Sequence, residues 1–577
     1  MTKYVSILFF LVGFIVLNPS SSYAEVISSV EKMSYQDRPF SLKYKSSIAN
    51  EYRFELPRVD VERNMAKALD TKRGQGPYLF AEPYYPAKSR LDDIRWTEVS
   101  GTSVWRIRFS SPNAKSLNIG LTDLFLPQDA KVYFYTPDGS QITRFDERSN
   151  KSHGQLWTPA FHSNELIMEL NVPSHLQKYV TFNIKSVNQG FRSIKPSAME
   201  KSGDCNINVI CPVADDWRNE IRAVARILIN GSGLCTGTLV NNVAGDNTPY
   251  FLSANHCGIT NSTASTIVFY WNFETSQCNM NTDVADGSLT QFQSGSTFRA
   301  RSEPSDFSLV ELDSNPEAAF NVHFAGWDAT DTTPNSVVAI HHPSGDEKRI
   351  SFENDTLTIT SYGENATNPN GTHFRVGAWD LGTTEGGSSG SAIWNSDKRV
   401  VGTLHGGLAA CSAPNDPDWY GRVSVQWLGG GTASTQLKAW LDPDDTGVLS
   451  LDGFDGCDAP TGTVTLSSSA INVGDEVTGT VDATGGSGAG YTYSWDFNND
   501  GTEDGTGTSA AFTYSSAYSG NVIVRVTDGA GCKSVAVASI VVTGNSTGGG
   551  SSGGGGSLTG LVLLLLARAF FIRRYNK

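Results

Sequence analysis

Three short stretches carry residue types suited to acyl transfer. In "TTEGGSSGSAIWN" (383–395), Ser389 stands among glycines and just ahead of an apolar run. By composition such a tract is a slack linker. The alternative is a tight turn that pushes one hydroxyl outward while the Gly387 and Ser389 amides converge as an oxyanion hole. His256 in "YFLSANHCGI" (250–259) follows an apolar strand and directly precedes Cys257, so a disulfide there would hold the imidazole rigidly enough for general-base work. Asp306 in "SEPSDFSLVELD" (302–313) heads a second apolar strand, where a carboxylate would fix the imidazole tautomer and stabilise the imidazolium. Read alone, the Asp is a solvated turn residue and the His a structural one. Together they supply nucleophile, base and orienting acid, and the strand "SAIWN" leaving the turn needs a core that a linker lacks.

The elements that must position these residues fall in the middle of a long chain. At 577 residues it is too long for one core, and its formal charge of −15, with no basic stripe, argues against a nucleic-acid partner. The start, "MTKYVSILFFLVGFIVLNPSSSYAE", has Lys3, an apolar run and Ser22-Tyr23-Ala24, the pattern of a secretory signal (1–24) cut after Ala24. Export makes disulfides the expected state of the eight cysteines, six of which lie between 205 and 411. Residues 25–201 contain no cysteine and alternate apolar with polar residues, as in "SVWRIRFSS" and "AKVYFYTPDGSQI". They read as a β-rich domain of its own, either a propeptide that assists folding and inhibits, or a retained binding module.

The region after the cysteine-rich segment (202–457) is again β-patterned. Residues 458–543 carry short alternating strands with turn signals, as expected of an immunoglobulin-like sandwich, and "YSWDF" with "VRVTDGAG" resembles a PKD domain. Asp496, Asn498, Asp500 and Asp504 could ring a calcium ion, although such a loop is by default a solvated turn. No other cofactor or metal is expected. The cysteines lack paired Cys-x-x-Cys spacing, and the adjacent His341 and His342 would point to opposite faces of a strand. Residues 544–557 form a Gly/Ser linker, and 558–577 form a short apolar run closed by arginines. This end resembles bacterial sorting tails, which make transient membrane contact and are removed during export; a retained anchor is the alternative. The expected location is secreted or cell-surface, in a bacterium.

The chain order His, Asp, Ser is that of the chymotrypsin fold. Over residues 202–453 the motifs "CNINVICP", "CTGTLVNN", "YFLSANHCG", "SDFSLVEL", "AGWDATD", "AIHHPSGDEKRIS", "GGSSGSAI", "LHGGLAACSA" and "DWYGRV" resemble, in order, the lysyl endopeptidase family of secreted bacterial serine proteases. The resemblance implies a mainly β chain with a chymotrypsin-like double β-barrel protease domain, and peptide or protein substrates cut after lysine. It also implies the disulfides Cys205–Cys411, Cys211–Cys278 and Cys235–Cys257, leaving Cys457 and Cys532 to each other. A lysine pocket needs a buried carboxylate, and Thr383, six residues before Ser389, cannot supply it. The resemblance assigns that role to Asp418, with His405 lining the site, Tyr362 as the aromatic neighbour of His405, and backbone from Trp427 to Gly430 pairing with the substrate. Glu385 and Asp380 are rival acids, and specificity for arginine or glutamate, or an inactive adhesin, are the alternatives.

The sequence departs from the family's pattern at Tyr362, at Gln426 and at Ala392. Ser388 stands where digestive trypsin-like enzymes carry the Asp that receives a new N-terminus, so activation is expected to follow loss of the front domain, with Lys201-Ser202 as a bond the enzyme could cut itself.

Overall fold

The computed structural model describes residues 27–44, 52–70, 74–87, 95–195, 201–278, 287–456, 460–486, 490–498, 502–529 and 533–544. The signal segment ending at Ala24, the linker beyond its first residue, the apolar tail, Asp500 and the pair Cys457 and Cys532 lie outside the described residues.

The middle of the chain forms two antiparallel β systems, as expected of a double barrel. In the first, the strand path runs Phe292–Ser294, Val268–Tyr270, Val224–Ile229, Gly233–Val240, Tyr250–Ser253, Phe307–Leu312, Ser296–Ser302. Its two end strands are separated in the chain by Gly295 alone, whose φ of 94° makes the bend, so the sheet closes on itself. The second path runs Ile207–Asn208, Arg349–Glu353, Val337–His341, Ala392–Trp394, Arg399–Gly407, Asp418–Arg422, His373–Val376, Thr358–Thr360. Each system fills its interior with its own apolar set, around Phe251 and Trp271 in the first and Phe374 and Tyr420 in the second. A further cluster joins Leu252 and Phe307 to Ile340 and Trp394, fixing one sheet against the other. Three disulfides staple this region: Cys205–Cys411, Cys211–Cys278 and Cys235–Cys257, the pairing the resemblance implied.

The front domain stacks two sheets. One contains Thr102–Ser110, Glu165–Pro173 and Lys131–Tyr135; the other contains Ala81–Tyr84, Thr181–Gly190 and Ser116–Phe125. Besides a cluster of its own around Tyr133, Tyr135 and Ile167, its main core continues into the barrel. Phe109, Ile119 and Phe145 share one apolar cluster with Leu228, Leu234, Val268, Tyr270 and Phe292 of the first barrel. The barrel presents large side chains outward here, and only the front domain removes them from water. Polar contacts fix the register of the two: the Ala160 amide donates to the Tyr270 hydroxyl at 2.8 Å, and His153 pairs with Asp313 at 2.7 Å.

A second compact unit, built from 462–482, 492–525 and 536 onward, has a three-stranded and a five-stranded sheet, in keeping with the expected sandwich. Trp495 is fully buried and stacks on Phe497 with centroids 5.3 Å apart. Of the residues considered for calcium, Asp504 accepts the Phe497 amide at 2.7 Å, and Asp496 faces the Arg525 guanidinium at 4.0 Å.

Phe292 belongs to the barrel but meets Phe145 of the front domain edge-on, with centroids 6.3 Å apart. Phe292→Ala is expected to destabilise the full chain by about 3 to 5 kcal/mol, because its ring is wholly buried and leaves a cavity. Guanidinium denaturation of the full chain carrying Ser389→Ala measures it.

Candidate active site

Strand pairing delivers the acid and the base to one place. Tyr250–Ser253 pairs antiparallel with Phe307–Leu312, with Ser253 opposite Ser308. The residues just past Ser253 and just before Phe307 therefore share one end of the barrel. His256 sits in the short turn Asn255–Cys257, tied through Cys257 to Cys235 on the neighbouring strand. Asp306 occupies the left-handed region at φ 51°, which Asp tolerates better than most non-glycine residues. Both its oxygens are used. Oδ1 accepts the His256 amide at 2.8 Å and Oδ2 meets Nδ1 of the ring at 2.6 Å, which orients the ring and leaves Nε2 as the working nitrogen. Gln426 braces the turn from behind, donating to the Ser305 carbonyl at 3.1 Å.

Ser389 lies on a turn pinned to the same barrel. Its carbonyl accepts the Thr236 amide at 2.9 Å, and the Gly387 carbonyl accepts the Thr236 hydroxyl at 2.9 Å. Gly387 and Gly390 have φ of 94° and 82°, so the glycines of this tract serve a fixed turn and not a linker. A Cβ on Gly390 would come within 2.3 Å of the Ser253 hydroxyl oxygen, which is how closely the turn approaches the His256 strand. Among the described residues, neither the Gly387 nor the Ser389 amide donates a hydrogen bond, leaving both for a developing oxyanion. His256 Nε2 likewise has no hydrogen-bond partner among the described residues, so the Ser389 hydroxyl is not bonded to it here. Ser388 is held instead by His341, at 2.8 Å.

Asp418 is fully buried on the strand that follows Arg399–Gly407. Its Oδ2 accepts from the Trp379 indole at 2.8 Å and from the Thr384 hydroxyl at 2.7 Å. Thr384 opens the nucleophile turn, so the carboxylate and Ser389 are linked through five residues of chain. Trp379 and Thr384 were not anticipated, and nothing in their spacing marks them. The rival acids are committed elsewhere: Glu385 accepts from Gly203 and Ser344, and Asp380 from Asn354.

His405 stacks between two rings, Tyr362 at 3.5 Å and His256 at 5.6 Å between centroids. Its Nε2 lies 3.8 Å from Asp306, and its Nδ1 meets His373 at 2.9 Å. Burial pushes its pKa down to about 4 and that of His373 to about 3, so both rings are neutral near pH 7. His256, Asp306 and His405 are also the one group among the described residues whose ligand atoms lie close enough to hold a metal ion, within 4.8 Å of one another. Trp427 does not line this site. It lies in the short helix Val423–Leu428, packed on Trp327 at 4.6 Å in the core between the barrels. Its indole is better satisfied by that core than by a strand edge, and the backbone edge facing the site is His405–Gly407.

That edge is occupied by the front domain. A Cβ on Gly406 would come within 3.0 Å of the Gly74 nitrogen, and the Gly74 backbone hydrogen-bonds the His405 ring. From there the chain crosses the site. Pro77 covers Gly233, Tyr78 covers Gly386, and Tyr78–Leu79 pairs antiparallel with Gly233 and Leu234.

Residues 85–187 match the family model described as "Lysyl endopeptidase N-terminal domain", and residues 199–421 match "Lysyl endopeptidase, C-terminal domain". These matches support the lysyl endopeptidase family. A lysyl endopeptidase of Pseudomonas aeruginosa is 28% identical over 348 residues, covering 56% of this chain and 73% of that protein. A second relative, "Secreted RxLR effector protein 73" of Plasmopara viticola, is 27% identical and covers 51% of this chain and 77% of its own length. Among solved structures, the secreted serine protease VesC of Vibrio cholerae is 12% identical, with a TM-score of 0.26 over 56% of this chain and 69% of its own. A score that low carries no weight for the fold, which rests on the strand orders above.

The neutral histidines give a pH signature. The unfolded chain takes up protons near the ordinary value of 6.5 that the folded rings refuse until about 4 and about 3. Stability is therefore expected to fall as pH is lowered through that window and to level off, for this contribution, below about 3. Urea unfolding of the full chain carrying Ser389→Ala across the window checks it, with His405→Gln expected to flatten the slope.

Proposed function

We propose that this chain is the precursor of a secreted serine endopeptidase that cuts on the carboxyl side of lysine. The family matches support a serine protease. The observation that carries the finer reading is the buried Asp418 carboxylate, bonded to Thr384 at the foot of the nucleophile turn. A lysine side chain reaching it exchanges hydration for a buried ion pair, and a substrate without the ammonium leaves that charge uncompensated. In the proposed reaction His256 Nε2 takes the proton from the Ser389 hydroxyl as Oγ attacks the carbonyl, and Asp306 stabilises the imidazolium. The Gly387 and Ser389 amides receive the oxyanion, and His256 then protonates the leaving amine. Water hydrolyses the acyl-enzyme by the same steps. Glutamate specificity is disfavoured, since His405 is neutral and Asp418 would repel a carboxylate.

A peptide with one Lys, one Arg and one Glu is expected to be cut after Lys by the mature enzyme and left intact by the Ser389→Ala variant. Cleavage after Glu alone overturns the pocket assignment. Asp418→Asn is expected to lower kcat/KM for lysyl substrates by about thirtyfold to several thousandfold, corresponding to about 2 to 5 kcal/mol.

The front domain is proposed to act as the enzyme's own inhibitor, a propeptide laid across the site at residues 74–79, with release at Lys201-Ser202. Gly74 has φ of 81°, and a Cβ there would meet the Tyr362 hydroxyl. In a Lys201→Ala precursor that mass spectrometry verifies as uncut, Gly74→Ala is expected to raise turnover of a small lysyl ester at least about tenfold, equivalent to about 1.4 kcal/mol of lost plug binding. An unchanged rate contradicts the inhibitory role.

A further inference from the structure

The start of the expected mature chain is already seated in a buried acidic site. The Ser202 amide donates to Asp346 Oδ2 at 3.2 Å, and the Ser202 hydroxyl donates to the same oxygen at 2.8 Å. Ser202 is 9% exposed and Asp346 0%, while Asp346 Oδ1 is buried with no hydrogen-bond partner. Glu347 is also fully buried, its Oε2 3.7 Å from the Lys201 ammonium. The other charges facing this pair are Arg349, at 3.0 Å from Asp346 and 3.6 Å from Glu347, and Arg226, which donates to the Gly345 carbonyl at 2.6 Å. Lys348 is turned away, donating to the Ile221 carbonyl with Glu274 at 4.0 Å. Burial alone would raise the Asp346 carboxyl, but Arg349 and the hydrogen bonds from Ser202 help to outweigh it and hold it below the usual range.

The same turn supports the oxyanion loop. The Ser344 amide donates to the Gly386 carbonyl, and the Ser344 hydroxyl donates to Glu385 at 2.9 Å. Gly203 and Asn206, next along from Ser202, donate to the other oxygen of Glu385 at 3.0 and 3.2 Å. Gly387 packs so closely that a Cβ on it would stand 2.9 Å from the Gly345 nitrogen. Residues 202–206 and 342–347 thus clamp 385–387 from two sides, in a chain whose Ser388 offers no acid for a new terminus.

We propose that this site binds the α-ammonium group created at Ser202 when the front domain is cut away, and that Asp346 is the positioning residue that couples processing to the oxyanion loop. The proposal rests on the reading above that the chain is cut after Lys201. Hydrolysis of that bond consumes one water, leaves a carboxylate on Lys201 and frees the Ser202 nitrogen as an ammonium. The departing Lys201 takes a cation from Glu347, and the new terminus supplies one at Asp346, turning a neutral amide hydrogen bond into a charge-assisted one. The single amide N–H of Ser202 becomes the three of an ammonium, and Asp346 Oδ1 gains a partner.

Mature enzyme beginning at Ser202 is compared with enzyme carrying one extra glycine before Ser202, with Asp346→Asn, and with both changes. Each single change is expected to lower kcat for a lysyl ester at least tenfold with KM changed less than threefold, and the combination to be no worse than either alone. Because Asp346→Asn could impair folding, a second readout uses Ser389→Ala precursor processed in trans and an amine-acylating reagent, scored by mass spectrometry. The Ser202 amine is expected to react at least tenfold more slowly than that of an unfolded control peptide. Full kcat with the added glycine, or free acylation of the amine in folded protein, overturns the proposal while leaving lysyl cleavage intact. A natural mature chain beginning elsewhere overturns both this site and processing at Lys201.

Discussion

The proposed catalytic arrangement depends on one hydrogen-bonded pair, Asp306 with His256. The carboxylate takes the ring nitrogen at 2.6 Å and the backbone amide of the same residue at 2.8 Å, so a single side chain fixes both the position and the tautomer of the base. This is possible only because the strands carrying the two residues are paired in register, and because Asp306 accepts a left-handed backbone. The disulfide from Cys257 to Cys235, the brace from Gln426 and the packing of Leu252 and Phe307 in the core between the barrels all hold these two segments in place.

Around this pair, electrostatics divides the site into two characters. The column of Tyr362, His405 and His256 is aromatic, with His405 and His373 held neutral by burial, so the Asp306 charge is shared with no second imidazolium. Asp418 is the opposite case, a carboxylate kept in the interior by an indole and a hydroxyl and suited to a single incoming cation. In the full chain the front domain lies close against the same backbone edge at Gly406 and pairs with Gly233 and Leu234, so this surface is covered.

Much of this was legible in the sequence, and for physical reasons. Ser389, His256 and Asp306 were marked by glycines that permit a tight turn, by a neighbouring cysteine and by an apolar strand, each of which is a local cause. The disulfides came from resemblance, since eight cysteines alone leave the pairing open. The resemblance placed Trp427 at the substrate edge, but it lies in a helix, whose backbone cannot pair as a strand, with its indole on Trp327. The donors to Asp418, the continuity of the front domain's core with the barrel, and the seat of Ser202 on Asp346 depend on contacts over 30 to more than 140 residues of chain and left no local trace.

The most direct measurement is covalent labelling of the mature enzyme with a fluorophosphonate, followed by peptide mapping. A stoichiometric adduct on the Ser389 oxygen, with labelling at least about a hundredfold slower in His256→Ala, is the expected result, since loss of the base removes the proton acceptor. An adduct on a different residue in active enzyme, or full peptidase activity surviving complete modification of Ser389, would contradict it.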